Sequence, residues 1–222
     1  MTDSQSRAAT PVSRRLLPIA GATLAALLLV VVAGGGNGDA GTAAPAPATV
    51  TVTGPLCDLL PTGDEPGHPA ALADQPAAQA LQWIPVLTTF EAAVRATGLA
   101  DELTGDVTIL APTDDAFATK FSRTNLDELL LRDTGELRDL LRDHLVSGVL
   151  PVADLVAAGT VTTVSGSSLA VTGRGQVARV DDLAETVCAD YQAAGARIHV
   201  IDEVLGDLPT TAGQDDDGHP AH

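Results

Sequence analysis

VTILAPTDDAF, residues 107–117, combines the signals of a strand, a turn and a helix within eleven residues. Residues 107–110 are a compact run that favours a strand, and Pro112 ends it by forcing the residue before it to stay extended. The side-chain oxygens of Thr113 and Asp114 can then accept hydrogen bonds from the amides of a following helical turn. That turn should bury Phe117. The stretch therefore predicts a strand, a sharp turn and a short helix.

Helical patterns lie on both sides of this strand. After Pro85, apolar residues recur at helical spacing, and Gly98 is placed to end that helix. A second helix can be capped by Thr134 and runs to Gly148, and a third follows Pro151 and ends at Gly159. The apolar positions are Val86, Leu87, Phe90 and Val94 in the first helix, Leu137, Leu140, Leu141 and Leu145 in the second, and Val152, Leu155 and Val156 in the third.

From residue 160 onward, the apolar pattern alternates with a period of two. Gly166 and the Gly173–Gly175 segment supply turn residues between the alternating runs. The pattern predicts antiparallel strands, and helices followed by strands predict an α+β domain with segregated layers. The alternating positions are Val161, Val164, Leu169, Val171, Val177, Val180, Ile198, Val200 and Val204.

The chain begins with an export pattern. Residues 1–15 form a basic N-terminal region, and residues 16–33 are eighteen residues without charge, which predict an apolar helix. The length of this segment suits both a cleaved signal peptide and a retained membrane anchor, and the sequence does not decide between these two alternatives. Residues 34–53 predict a disordered spacer, and residues 210–222 a disordered acidic tail. We therefore expect an extracytoplasmic protein, secreted or anchored to the cytoplasmic membrane and facing outward.

The charge and the aromatic content exclude some partners. The chain has 12 basic and 29 acidic residues, a formal net charge of -17, which argues against nucleic-acid binding. The same charge leaves the N-terminal segment as the only expected membrane contact. One Trp, one Tyr and three Phe leave no visible stacking platform for bases or sugars.

Cys57 and Cys188 are the only cysteines in the chain. In an exported protein a single disulfide is favoured over metal ligation or a catalytic thiol. The bond would close a loop of roughly 130 residues and stabilise the fold by on the order of 3 to 5 kcal/mol.

Four segments in order resemble the signatures of fasciclin domains. Residues 107–117 resemble the first signature, and LRDHLVSGVL at residues 141–150 resembles the helix-borne His motif of that family. Residues 164–172 resemble its hairpin, and IHVIDEVLGDLP at residues 198–209 resembles its closing strand. The likeness is nearest to the small secreted single-domain fasciclin proteins of mycobacteria, which share a Cys in a G-P-x-C context and a second Cys in a V-C strand. That likeness supports the disulfide by analogy.

The resemblance implies one fasciclin-like domain that, together with an N-terminal extension, covers residues 54–209, with helices packed on antiparallel β-sheets as a β-wedge. It also implies that the motif residues are structural or face a partner. The sequence departs from the family pattern at one position: Asp143 stands before His144, where adhesive members often carry Tyr. The resemblance therefore gives less support to integrin-dependent adhesion by this chain. The motif residues are Thr113, Asp114, Phe117, His144, His199 and Asp202.

No catalytic, cofactor or metal site is expected from the remaining polar residues. His144 lies on the leucine stripe, where a hydrogen-bonded core histidine is the simplest interpretation. His199 alternates with Ile198 and Val200, which predicts the outward face of a strand. Asp181 and Asp182 are expected to point to opposite faces of a strand, unlike the paired carboxylates of a hydrolase.

These observations predict a binding module rather than an enzyme. Its expected partner is a protein or a component of the extracellular matrix or envelope, contacted by loops on a rigid scaffold. The alternative is a carrier that holds a small lipid-like ligand in the domain interior. No cofactor is expected, and the oligomeric state cannot be read from this pattern.

Overall fold

The computed structural model describes residues 51–63 and 65–213. The predicted basic region, the apolar segment and most of the spacer lie outside the described residues, as does residue 214 onward. Within them the helices are α1 Pro69–Leu72, α2 Ala77–Ala80, α3 Thr88–Ala96, α4 Asp114–Lys120, α5 Arg123–Leu131, α6 Thr134–Arg142 and α7 Val152–Ala158. The strands are β1 Val107–Pro112, β2 Leu145–Ser147, β3 Thr160–Thr162, β4 Ser168–Arg174, β5 Val177–Val180, β6 Ala184–Ala193 and β7 Ala196–Ile201. Short 3₁₀ turns cover Cys57–Leu59, Leu81–Trp83, Pro85–Leu87 and Leu99–Thr104.

The seven strands form one mixed sheet in the order β2-β1-β7-β6-β5-β4-β3. The prediction of purely antiparallel sheets is therefore wrong at one pair, because β1 runs parallel to β7, with Val107 opposite Ala196 and Ile109 opposite Ile198. A parallel pair needs a long crossover, and here most of the domain lies between the two strands. Alternation along either strand carries no information about that direction.

The two ends of the sheet meet and give it a barrel-like shape. Val146 in β2 forms an isolated bridge with Thr163, just after β3. The amide of Val164 also donates to the carbonyl of Leu145 at 2.7 Å. Closure of this kind covers strand edges that would otherwise be open to pairing with another chain.

The helix with the leucine stripe is shorter than predicted. It starts at Thr134 without a side-chain cap from Asp133 or Thr134, and it ends at Arg142. His144 therefore lies in the turn after the helix, and Leu145 begins β2 instead of continuing the stripe. The helical interpretation failed here because helix and strand both place these apolar residues inward.

Two aliphatic clusters form the core. The larger one lies between the helices and the sheet and includes Phe90, Phe117 and Leu137, all fully buried. The smaller one lies under α7 and includes Leu155, Val171 and Val180. The buried position predicted for Phe117 is confirmed.

Residues on both sides of the family-like region pack onto it. Thr53, the last residue of the predicted spacer, bridges to Ala189 in β6. At the other end, the hydroxyl of Thr211 accepts from the amide of Ser122 at 2.9 Å, so the predicted tail begins with a residue that hydrogen bonds to the domain. Among residues 51–63 and 65–213, no helix has the length and apolarity needed to cross a membrane.

Candidate functional site

The strand–turn–helix of residues 107–117 forms as predicted. Thr113 is the N-cap of α4, and its hydroxyl accepts from the amide of Ala116 at 3.1 Å. Its own amide donates to the carbonyl of Ile201, which ties the turn to the end of β7. Phe117 points into the core and stacks near Phe121, with ring centroids 6.3 Å apart.

Asp114 links two helices. Its Oδ1 accepts from the amide of Thr89 at 2.6 Å, and its Oδ2 accepts from the hydroxyl of Thr88 at 2.8 Å. A carboxylate at a helix N-terminus satisfies free amides and interacts favourably with the helix dipole. Asp114 therefore caps α3 from within α4, over a separation that no local pattern reveals.

His144 is fully buried and fully hydrogen bonded, as the sequence predicts. Its Nδ1 lies 2.9 Å from the carbonyl oxygen of Leu140, and its Nε2 lies 2.9 Å from the amide nitrogen of Leu205. Because a carbonyl only accepts and an amide only donates, the proton sits on Nδ1 and the ring is neutral. The ring thus fastens the closing segment of the domain to the end of α6.

The surroundings of His144 favour this neutral form. Burial lowers the pKa of its ring from 6.5 to about 4, and the hydrogen bond to Leu140 and the charge of Asp143 oppose that change. Phe90 meets the ring edge-on, with centroids 6.3 Å apart. A group with this pKa and with both nitrogens bonded to backbone has no free atom for acid–base work.

His199 is buried, and the prediction that it faces outward is wrong. It lies on β7, whose two faces both pack into the core: Ile198 and Val200 belong to the larger cluster, and Ile201 belongs to the smaller one. Its Nε2 donates to the carbonyl of Leu150 at 2.9 Å, and its Nδ1 accepts from the amide of Asp190 at 3.2 Å. Burial lowers the pKa of His199, which the hydrogen bond to Leu150 and the charge of Asp190 only partly oppose.

Asp190 completes this arrangement and was not singled out from the sequence. It sits at an irregularity of β6 with a left-handed φ of 71°, and its Oδ1 accepts from the amide of Val152 at 2.9 Å. Asp190 and His199 therefore hold the chain on both sides of Pro151, at the start of α7. We call these two residues and residues 150–152 the α7 clasp. The sequence offers no signal for it, because Asp190 stands inside an ordinary strand pattern.

Asp202 is exposed and binds the start of β6. Its Oδ1 accepts from the amide of Glu185 at 2.6 Å, and its amide donates to the carbonyl of the same residue. The neighbouring pair Asp181 and Asp182 lies in the β5–β6 turn with φ of 55° and 53°, so the prediction that the pair lies within a strand is wrong.

Asp143, the residue that departs from the adhesive pattern, has its own structural partners. Its Oδ1 accepts from the hydroxyls of Ser165 and Ser167, the latter at 2.8 Å. Ser165 also exchanges a hydrogen bond with Thr163 at 2.6 Å. Asp143 therefore anchors the β3–β4 turn to the end of α6, a role that a Tyr at this position could not perform in the same way.

Cys57 and Cys188 form a disulfide, with their Cα atoms 5.1 Å apart. The bond joins the segment before the domain to β6, where Cys188 is buried. Beside it the backbone passes so closely that a Cβ on Gly54 would lie 2.3 Å from the carbonyl oxygen of Val187. The N-terminal extension is thus held to β6 by the disulfide, the Thr53 bridge and close backbone packing.

A surface groove of about 410 Å³ opens beside the α7 clasp. It is lined by Val152, Ala153 and Val156 from α7, by Gly173, Gly175, Gln176 and Val177 from the β4–β5 hairpin, and by Thr53 and Asp190. In the part of the chain that the structure describes, no group of three or more His, Cys, Asp or Glu side chains is placed to hold a metal ion. Val152 and Asp190 of the α7 clasp line this groove.

Comparison with known proteins gives a consistent family. A sequence model of the fasciclin domain matches residues 85–208, more than half of the chain. Immunogenic protein MPB70 of Mycobacterium bovis is 35% identical over 151 residues, which cover 65% of this chain and 75% of that protein. Cell surface glycolipoprotein MPB83 of the same species is 32% identical over 151 residues, which cover 65% of this chain and 66% of that protein.

More distant proteins also match. Transforming growth factor-beta-induced protein ig-h3 of Sus scrofa is 35% identical over 136 residues, which are 59% of this chain and 19% of that protein. A solved FAS1 domain pair from the insect cell adhesion molecule Fasciclin I matches with a TM-score of 0.42 and 25% identity, over 53% of this chain and 44% of that chain.

Proposed function

We propose that this chain, which belongs to the fasciclin family, is a binding module. It contacts a protein or a component of the extracellular matrix or envelope at the cell surface. Fasciclin domains are surface-associated or adhesive modules. The observation that carries the proposal is the use of both motif histidines. Each ring binds backbone groups through both nitrogens, so these side chains hold the fold and leave recognition to exposed loops.

We place the module outside the cytoplasm. One relative is a cell surface glycolipoprotein by name, and the Cys57–Cys188 disulfide suits an oxidising compartment. The uncharged segment at residues 16–33 would deliver the domain there, as a cleaved signal or as a retained anchor. The domain itself would then contact its partner away from the membrane.

Partner capture tests the proposal. The full chain, immobilised and incubated with envelope and culture fractions, should retain a specific partner that excess free chain displaces. Asp181→Asn with Asp182→Asn removes two charges from an exposed turn, and Asn tolerates the left-handed φ at both positions. The matched control is Glu136→Gln with Asp139→Asn on α6, which makes the same change in charge elsewhere.

The two variant pairs separate specific contact from general attraction to an acidic protein. Loss of capture in only one pair would support recognition by that surface. No displaceable partner in any fraction would contradict the binding proposal. It would favour the alternative function, a carrier of a small lipid-like ligand, which native mass spectrometry of the purified chain would reveal as a co-purifying mass.

A further inference from the structure

We propose that the groove beside the α7 clasp binds a lysine or arginine side chain of the partner protein, with the aliphatic stem along its walls and the cationic head at Asp190. The inference rests on the proposed binding function and names the chemistry of the partner at one site. Three features of the groove support this assignment: its apolar walls, the charge of Asp190, and the backbone geometry that places that charge.

The walls of the groove suit an aliphatic stem. Val152 and Val156 from α7 face Val177 from β5, and Ala153 lies between them at the surface. Gly173 lets the hairpin approach the helix closely, since a Cβ there would lie 2.7 Å from a methyl carbon of Val156. The volume of about 410 Å³ is in the range of small ligand sites, and the groove is open along its length, as a side chain attached to a partner requires.

Asp190, the acidic residue that lines the groove, suits a cation. Asp190 Oδ1 is occupied by the amide of Val152, and Oδ2 has no hydrogen-bond partner among the described residues. A carboxylate has room for further donors, and an ammonium or guanidinium gives the strongest hydrogen bonds to it. A neutral lipid would desolvate this charge without compensating it, and a fatty acid would be repelled by it.

Among the described residues, neither of the two nearby arginines forms an ion pair with the Asp190 carboxylate. Arg197 on β7 donates to the backbone carbonyl of Asp190 at 3.4 Å, and the described residues contain no ion pair between Arg197 and the Asp190 carboxylate. Arg174 on the hairpin lies 3.9 Å from Glu185. The charge at the groove is therefore left for an external group, in a chain whose net charge of -17 attracts basic partners.

The position of Asp190 is costly for the backbone. A left-handed φ of 71° is uncommon for any residue but Gly, and Asp is among the side chains that tolerate it best. The hydrogen bonds of the α7 clasp hold that conformation, so the carboxylate is fixed in place before a ligand arrives. A preorganised charge loses little entropy on binding.

Lysine derivatives provide the test. The ¹⁵N-labelled full chain is titrated with Nα-acetyl-lysine amide and, in parallel, with Nα-acetyl-norleucine amide, which has the aliphatic stem but no ammonium. We expect the lysine derivative to shift the amide signals of residues 152–156 and 173–177, and the norleucine derivative to bind about tenfold more weakly.

Two variants and a control accompany the titration. Asp190→Asn keeps an acceptor for the amide of Val152 and should weaken lysine binding by about tenfold. Ala153→Phe, at an exposed helix position, should fill the groove and abolish the shifts. Asp139→Asn removes one charge from α6, away from the groove, and should leave binding unchanged.

The outcomes are distinct. Equal binding of the norleucine derivative would overturn the proposal and indicate an apolar ligand. If Asp139→Asn weakened lysine binding as much as Asp190→Asn does, general charge attraction would explain the binding, and the proposal would also be overturned. Shifts elsewhere in the domain would also overturn it. Capture of a partner by the full chain that Asp190→Asn does not weaken would leave the binding function intact and remove only the groove from it.

Discussion

His144 and His199 each donate from one ring nitrogen and accept at the other, and the two rings join segments far apart in the chain. His144 connects Leu140 with Leu205, and His199 connects Leu150 with Asp190. A neutral imidazole can make such a pair of bonds. In a protonated ring both nitrogens carry a proton, and one of them would face the N–H of a backbone amide, which is also a donor. The fold therefore depends on both rings being neutral.

This dependence predicts a loss of stability in acid. The pKa of His144 is about 4 in the folded chain and near 6.5 when unfolded, so its contribution is complete above pH 6.5 and is lost as the pH falls towards 4. The loss should be on the order of 3 kcal/mol from this residue. His144→Gln should be less stable at neutral pH but have a flatter pH dependence, which urea unfolding at several pH values measures. The same slope in both proteins would refute the assignment.

Asp143 allows a second test at the residue scale. Asp143→Ala removes the acceptor for Ser165 and Ser167 and should lower the unfolding free energy by about 1 to 2 kcal/mol. It should also speed amide exchange in the β3–β4 turn. Asp139→Ala, an exposed position one turn earlier on α6, is the control and should change both quantities little. Equal effects of the two changes would mean that the turn does not rely on Asp143.

Several elements are connected by a side chain of one element that binds the backbone of another. Asp114 of α4 caps α3, Asp190 of β6 holds the start of α7, and Asp202 after β7 holds Glu185 at the start of β6. Each uses a carboxylate as acceptor for an amide that its own element leaves free. Acidic residues in this chain therefore contribute to the fold as well as to the net charge.

Asp114 and its neighbour form a matched pair for testing such a connection. Asp114→Ala should lower the unfolding free energy by about 1 to 2 kcal/mol, because the amide of Thr89 and the hydroxyl of Thr88 lose their acceptor. Asp115→Ala changes the same residue type at an exposed position of α4 and should cost much less. Chemical denaturation of the two variants compares them directly, and equal losses would contradict the capping role.

At the scale of the whole molecule, the disulfide joins the N-terminal extension to the family domain. The family model begins at residue 85, yet Leu72, Leu81 and Ile84 before it are buried in the larger core cluster. The Cys57–Cys188 bond closes a loop with a sequence separation of 131 residues. A cross-link over so long a loop constrains the unfolded chain strongly.

Removal of the disulfide should therefore lower stability without abolishing the fold. Cys57→Ser should reduce the unfolding free energy by on the order of 3 to 5 kcal/mol and lower the melting temperature. The two core clusters persist, so the circular dichroism spectrum should stay native. The original chain with a reductant serves as the control and should melt like the variant. Identical melting of the variant and the oxidised chain would show that the bond adds no stability.

The local pattern of the chain determined much of this protein by itself. The strand and turn of residues 107–117, the cap at Thr113, the burial of Phe117 and the burial of His144 all follow from neighbours within a few residues. So does the short helix between Pro151 and Gly159. Periodicity, capping and turn chemistry act over such distances, which is why they can be read without a structure.

Tertiary structure alone decided the direction of the β1–β7 pair, the burial of His199 and the α7 clasp around Asp190. Alternation shows which residues share a face of a strand, but β7 has a core cluster on each face, so the face of His199 does not predict exposure. Strand direction and the left-handed turn at Asp190 depend on elements distant along the chain. Their energies come from contacts that exist only once those elements have met.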